Sequence, residues 1–254
     1  MESTTKMALV TGGSRGLGKN MALALAAKGL DVILTYHTNK TAADDVVAQI
    51  EAMGRQAVAL QLDTTDRTQF DAFLENVTTY LQEKRGQARF DFLINNAGTA
   101  LYAPIEAVTE EQMDAVYDIH YKGVFFLTQK ALPLMNEGGG IVNISSGLAR
   151  MTMPGSSVYG SLKAAVETLS RYMAKELGPR KIRVNVVAPG AIETDFGGGR
   201  VRDNKDINDQ IAGYTALGRV GLPDDIGGVV AFLCTEDAYW INGQRIEVSG
   251  GQAL

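Results

Sequence analysis

The sequence has little with which to build a covalent or metal framework. It carries one cysteine, Cys234, and two histidines, His37 and His120. A lone thiol excludes an internal disulfide scaffold and suits a reducing compartment. It lies in the apolar run VVAFLC, where it reads as a buried, inert side chain. Two separated histidines and one cysteine give no ligand cluster, so no metal site is expected. Positive charge is not in excess either: 24 Lys and Arg against 29 Asp and Glu leave a net charge of −5, which argues against nucleic acid as a partner. No apolar run approaches the ~18 residues that a membrane span needs. The opening MESTTK has no apolar signal core, so the expectation is a soluble, cytoplasmic protein without a membrane partner.

No linker, low-complexity tract or repeat divides the chain, which reads as one domain over residues 1–254. Short β-branched runs alternate with longer segments of helical period, the pattern of a parallel sheet covered by helices on both faces. Strands are expected at residues 7–11, 32–36, 57–62, 92–95, 140–145, 183–187 and 245–248, separated by helices of roughly 12 to 25 residues. The fold class is therefore α/β, a doubly wound, Rossmann-type sheet of seven parallel strands. Gly29 is expected to close the first helix, Thr41 to cap the second, Thr109 and Gln112 to form a capping box, and Gly178-Pro179 to stop the helix that carries Tyr159.

The first strand runs into TGGSRGLG, where Gly12, Gly16 and Gly18 open a helix. Such a turn lets backbone N–H groups approach a pyrophosphate, and the helix dipole favours the negative charge. Ser14, Arg15 and Leu17 lie in the same turn. A site preferring NAD usually places an acid at the end of the second strand, but Tyr36, His37 and Thr38 stand there, followed by Asn39 and Lys40. Arg15 is placed to face a 2′-phosphate with Thr38, Asn39 or Lys40 assisting, so the expected cofactor is NADP(H). Asp63-Thr64 and Asn95-Asn96-Ala97-Gly98 fall at carboxyl ends of strands, where open α/β sheets bind ligands. Asp63 can accept from an adenine amino group, and Asn95 and Asn96 can brace the strand ends.

Ser146, Tyr159 and Lys163 lie within eighteen residues. Tyr159 and Lys163 are four apart, which stacks them on one helix face. An adjacent cation favours the phenolate, so the lysine is expected to lower the pKa of Tyr159 and make it a usable acid/base.

Taken in order, Thr11-Gly12-x-x-x-Gly16-x-Gly18, Asp63, Asn95-Asn96-Ala97-Gly98, Ser146, Tyr159-x-x-x-Lys163 and Pro189-Gly190 with Thr194 make the chain similar to the short-chain dehydrogenase/reductase family over essentially its whole length. The resemblance implies that Tyr159 transfers the proton to or from the substrate oxygen and that Lys163 lowers its pKa and holds the nicotinamide ribose. Ser146, thirteen residues before Tyr159 as in the family, is implied to stabilise charge on the substrate oxygen; simple counting leaves Ser145 as the alternative. Asp63 and residues 96–98 are implied to line the cofactor, Pro189, Gly190 and Ile192 to pass along the nicotinamide, and Thr194 to reach its carboxamide or the pyrophosphate.

One position departs from the pattern. Where the family usually carries an Asn that holds a water linked to the lysine, this chain has His120. An imidazole can hold the same water and can charge near pH 6.5, so His120 is a candidate proton relay that adds a pH dependence. The family's mobile lid corresponds to residues 194–216, with Gly197-Gly198-Gly199 as its hinge. The halves are a cofactor half over about 1–145 and a catalytic half over about 146–254. Leu101, Tyr102, Leu148, Met151 and Met153 would form apolar pocket walls, suited to a medium-sized, partly hydrophobic carbonyl compound or alcohol. The implied activity is hydride transfer between NADP(H) and a ketone, aldehyde or secondary alcohol. The alternatives are a 3-oxoacyl-thioester reductase, its acidic carrier protein docked on Arg171, Lys175, Arg180, Lys181 and Arg183, and a silent NADP(H)-binding regulator. The resemblance also implies a homotetramer or homodimer.

Overall fold

Seven strands form one sheet in a computed structural model that describes residues 5–254. They are β1 (Met7–Val10), β2 (Asp31–Tyr36), β3 (Ala57–Gln61), β4 (Phe90–Asn95), β5 (Met135–Ile144), β6 (Arg183–Pro189) and β7 (Arg245–Val248). Every pairing is parallel, in the order β3-β2-β1-β4-β5-β6-β7. The nine α-helices among the described residues are α1 (Gly16–Ala27), α2 (Lys40–Ala52), α3 (Phe70–Arg85), α4 (Glu110–Tyr117), α5 (Gly123–Ala131), α6 (Ser157–Glu176), α7 (Arg200–Asp203), α8 (Lys205–Gly213) and α9 (Asp224–Leu233).

The strands read as unbroken apolar runs because both sheet faces are buried. In β1, Ala8 and Val10 point into one core with Met21 and Leu25 of α1 and Val230 of α9. Met7 and Leu9 point into the other with Phe70 and Leu74 of α3 and Leu127 of α5. Strand order reverses between β1 and β4, and the crevice at that point, at the carboxyl ends of the strands, is where such sheets hold ligands.

A buried polar ladder fixes β4 and β5 against the helices of one face. Asn95 Nδ2 donates to Thr128 Oγ1 of α5 at 3.0 Å and to Asn143 Oδ1 at 2.8 Å. Asn143 Nδ2 in turn donates to Ser170 Oγ of α6 at 2.8 Å. The bracing expected of Asn95 is therefore directed at helices as well as at the neighbouring strand.

Several local expectations need correction. α2 is capped by Asn39, whose Oδ1 accepts from Ala42 N at 2.9 Å, so Thr41 lies inside the helix. β5 starts at Met135 rather than near 140, because Met135 pairs with Phe90 across a register shift. Helices α4, α5, α7, α8 and α9 fall short of the expected 12 residues. The helical segment over 112–135 is interrupted by a π turn, Asp118–Lys122, of the kind that often marks a functional site. Gly123 ends it where an added Cβ would meet Thr64 O at 2.6 Å, so α5 is pressed against the strand-end loop. The Thr109–Gln112 capping box is present, and Gly29 takes the left-handed conformation just past α1.

The basic cluster is not a free patch. Arg183 is buried and donates to Leu233 O at the end of α9 and to Ala238 O in the 3₁₀ turn that follows, and Arg180 donates to Leu132 O, Met135 O and Glu137.

The ladder gives a test of what holds β5 to α6. Asn143→Ala takes one of two acceptors from Asn95 Nδ2, which keeps Thr128 Oγ1, and the donor from Ser170 Oγ, which keeps Val166 O, and is expected to cost about 1–3 kcal/mol, read from denaturant midpoints. A loss below about 0.5 kcal/mol would show that the ladder relaxes without it.

Candidate active site

The crevice is a cleft of about 480 Å³ along the carboxyl ends of the strands. Its floor is the glycine-rich turn. Gly12 and Gly16 have positive φ, and a Cβ on Gly18 would run into the Gly12 carbonyl and lie 2.5 Å from Asn96 Nδ2. Thr11 Oγ1 accepts from Asn96 N at 2.9 Å and Ala97 N at 3.0 Å, while Asn96 Nδ2 donates to Thr11 O at 2.8 Å. The turn and the end of β4 are thereby locked together. The α1 N-terminus has no side-chain cap, so its first N–H groups and the dipole are offered to the cleft. These features fit a dinucleotide pyrophosphate.

Of the expected cofactor residues, all but Tyr36 and Thr38 line the cleft. Tyr36 is packed into the hydrophobic core, and Thr38 is exposed beyond it. Asn39 is spent on its cap, and Lys40 is paired with Asp44 at 2.7 Å. At this end of the cleft Arg15 therefore stands without those helpers, its guanidinium 2.6 Å from Asp195, two residues before the run of three glycines. Asp63 lines the cleft with Oδ1 taking Thr65 N and Oγ1, and with Oδ2 3.5 Å from His37 Nε2.

The other end holds Ser146, Tyr159 and Lys163 together. Ser146 caps a short 3₁₀ turn, Gly147–Ala149, its Oγ accepting from Leu148 N at 3.2 Å. Its neighbour Ser145 faces away, donating to Glu167 Oε1 at 2.7 Å. Tyr159 and Lys163 are both buried on α6. The ammonium lies 5.6 Å from the phenol ring centroid and donates to Ile144 O at 2.7 Å.

Electrostatics here differ from the expectation. Burial raises the Tyr159 pKa well above the usual tyrosine value; the Ser146 hydroxyl acts in the opposite direction and the Tyr102 phenol adds to the rise. Burial also brings Lys163 down to about 7. Desolvation is the largest cause of both shifts, so burial runs against the expectation that Lys163 lowers the pKa of Tyr159.

His120 sits on the π turn with its ring edge-on to Tyr159, centroids 5.2 Å apart. It is 1% exposed and packs over Gly98, where a Cβ would lie 2.6 Å from Cε1. Its Nε2 lies 2.7 Å from Thr99 O and 3.3 Å from Thr99 N, and Nδ1 has no hydrogen-bond partner among the described residues. Burial first, and the Lys163 charge second, hold its pKa well below the ordinary histidine value, although the Thr99 bond opposes them. The expected charging near pH 6.5 is thus overturned.

Tyr102, Leu148, Met151 and Met153 form pocket wall, whereas Leu101 does not. Sequence reasoning missed Phe196, Val201 and Ile211 from the lid region, and Gln252 from the C-terminus. Phe196 is 6.0 Å from the Tyr159 ring, and Arg200 lies over the Tyr102 ring at 5.4 Å. Phe196 carried a usable signal, an aromatic residue directly before three glycines; Gln252 carried none. Gly197, Gly198 and Gly199 take positive φ in succession, the geometry only glycines adopt without strain. Cys234 is buried with its thiol pushed up to about 12.

Comparison with known proteins matches residues 12–253 to the family model described as enoyl-(acyl carrier protein) reductase. An uncharacterized oxidoreductase of Methylorubrum extorquens is 42% identical over 246 residues, covering 97% of each chain. The promiscuous reductase LugOII, which catalyses keto-reduction at C1 during lugdunomycin biosynthesis, is 40% identical with a TM-score of 0.92, over 97% of this chain and 96% of its own. The landomycin C-6 ketoreductase LanV, solved with bound NADP and rabelomycin, is 37% identical with a TM-score of 0.89, over 98% and 96%. With the glycine-rich turn, the parallel sheet and the Ser146, Tyr159 and Lys163 cluster, these matches place the chain in the short-chain dehydrogenase/reductase family.

Proposed function

We propose that the protein is an NADP(H)-dependent ketoreductase acting on a polycyclic or otherwise extended apolar ketone. The observation that carries the reading is the convergence of Ser146, Tyr159 and Lys163 at the apolar end of a cleft whose other end is a phosphate-fitting turn. LugOII and LanV, which match over nearly the whole chain, reduce ketones, and LanV does so beside NADP. The wall of Tyr102, Met151, Met153 and Phe196 suits a flat, weakly polar ligand better than a sugar phosphate.

The turn at Gly12, Gly16 and Gly18, with Arg15 toward a 2′-phosphate and Pro189 to Ile192 toward the nicotinamide, would hold the dinucleotide. When bound, it supplies the hydride. Ser146 donates a hydrogen bond to the substrate carbonyl oxygen. Tyr159 gives that oxygen its proton, for which a phenol kept protonated by burial is already in the required state. Lys163 stabilises the resulting phenolate and, with a pKa of about 7, can return a proton at neutral pH. His120 stays neutral, packs edge-on against the Tyr159 ring and offers the unpartnered Nδ1 as an acceptor to the site rather than charging itself. The same family reading carries a homotetramer or homodimer in the cytoplasm, and exposed Tyr172, Tyr239 and Trp240 supply apolar surface for an interface. The thioester-reductase alternative loses support because Arg180 and Arg183 are committed internally.

NADPH oxidation followed by absorbance across polycyclic ketones, diketones, quinones and acetoacetyl thioesters tests the reading. Turnover of a polycyclic ketone is expected, lost by about 10²-fold or more in Tyr159→Phe, with NADPH preferred over NADH and that preference eroded in Arg15→Ala. NADPH binding without any turnover would leave a regulatory dinucleotide binder instead.

The role of His120 is read from a pair of variants. His120→Leu is expected to lower kcat by about tenfold, whereas His120→Asn, which keeps an acceptor, stays near wild type. Equal losses in both would reduce the histidine to packing.

Lys163→Met separates activity from stability. An unfolded lysine titrates near ~10.4 and the folded one near 7, so the unfolded chain binds more protons between those values and burial costs most below pH 7. The variant should be inactive yet more stable than wild type, with the gain in Tm larger at pH 6 than at pH 9. A gain independent of pH would contradict a desolvated amine.

A further inference from the structure

We propose that the C-terminal tail, residues 249–254, is a positioning element of the active site, and that Gln252 is the residue through which it acts; the catalytic consequence rests on the ketoreductase reading above. Gln252 is 5% exposed and forms part of the cleft wall. Its Oε1 accepts from Ala191 N at 2.8 Å. That N–H belongs to the loop leaving β6, the stretch assigned to the nicotinamide, where the strand ladder has ended. The rest of this loop is also tied. Gly190 N donates to Val248 O at 3.0 Å, and Ala191 O accepts from Gly221 N at 2.9 Å. A side chain at Gly190 is excluded by the tail itself, since a Cβ would lie 2.6 Å from Gln252 Oε1 and 2.9 Å from Ser249.

The tail is anchored on two further sides. Its backbone pairs antiparallel with the segment closing the lid: Ala216 N donates to Gly251 O, Leu217 N to Gly250 O, and Ala253 N to Tyr214 O at 3.0 Å. Arg150, just past the turn capped by Ser146, donates to Gln252 O and Ala253 O at 3.2 Å while holding Glu247. Gln252 therefore stands where the nicotinamide-side loop, the end of the lid and the Ser146 turn meet. Hydride transfer depends on the distance between the first and the last of these, and among the described residues only this side chain bonds Ala191 N from outside the loop.

Full-length Gln252→Met, of similar length but without an acceptor, and Gln252→Glu, which keeps one, decide the matter. NADPH dissociation constants by fluorescence titration, single-turnover NADPH oxidation with a reducible ketone, and Tm are measured on each. Gln252→Met is expected to slow the single turnover by roughly tenfold or more and to weaken NADPH binding several-fold, with Gln252→Glu restoring both to within about threefold of wild type. Rates and binding within about twofold of wild type in Gln252→Met, whatever its Tm, would overturn the proposal, as would equal impairment of the two variants. Should Gln252→Met fail to fold, Arg150→Met loosens the tail from outside the cleft and must change NADPH binding or the single-turnover rate in the same direction; no change there overturns the proposal. If wild type binds NADPH but reduces no ketone, the ketoreductase reading fails while the binding comparison still decides the role of Gln252.

Discussion

Lys163 is an amine buried beside a buried phenol, with the Ile144 carbonyl as its hydrogen-bond partner. A carboxylate at that point would fix the ammonium and end its usefulness as a proton carrier. A carbonyl leaves it desolvated, which is why its pKa falls to about 7 while Tyr159 is driven upward. The two shifts have one cause, and together they leave a protonated phenol beside a lysine that exchanges its proton near neutrality. His120 follows from the same constraint. A second cation next to Lys163 in so dry a place is refused, so the imidazole remains neutral and serves only through its nitrogens.

One carboxylate does lie close along the chain, Glu167, one helical turn beyond Lys163. It is occupied elsewhere. Ser145 and Arg245 both donate to its Oε1 at 2.7 Å, and Arg245 also reaches Glu247, itself held by Arg150. This chain of charges fastens α6 to β7 and the tail and withholds Glu167 from Lys163. It also separates two pH windows. Glu247, drawn down to about 2 chiefly by Arg150, contributes stability above the ordinary carboxylate range and loses it only as pH falls toward 2. Glu247 therefore stays ionised across the whole range in which Lys163 titrates.

Backbone-level features were legible in the sequence because they are local. Doubly buried strands need continuous apolar runs, the pyrophosphate turn needs glycines at fixed offsets, and α6 announces Tyr159 and Lys163 by their four-residue spacing. The failures lie where a side chain has to choose among partners. Tyr36 turns into the core because its neighbours Thr35 and His37 take the cleft side of the strand end. Asn39 outcompetes Thr41 as a cap because its carboxamide reaches Ala42 N, and Thr41 falls after the helix has begun. The lysine–phenol spacing was right while the sign of the pKa shift was wrong, since spacing does not report desolvation. Gln252 lies 61 residues from Ala191, and only the folded tail brings them together.

Arg15 joins the two ends of the site. Its guanidinium bonds Asp195, the residue between Thr194 and Phe196, so the loop that fits a phosphate and the root of the substrate lid share one ion pair. Both side chains are solvent-exposed, and exposed pairs contribute about 0–1 kcal/mol. A phosphate group carries more charge than a carboxylate and three acceptor oxygens for a planar donor fork. Exchanging Asp195 for a 2′-phosphate would therefore cost little, and would free the first residue of the segment that ends in three left-handed glycines. The contact between the glycine-rich turn and residues 195–199 is thus an exposed and weak link beside a cleft whose other walls are held by buried bonds.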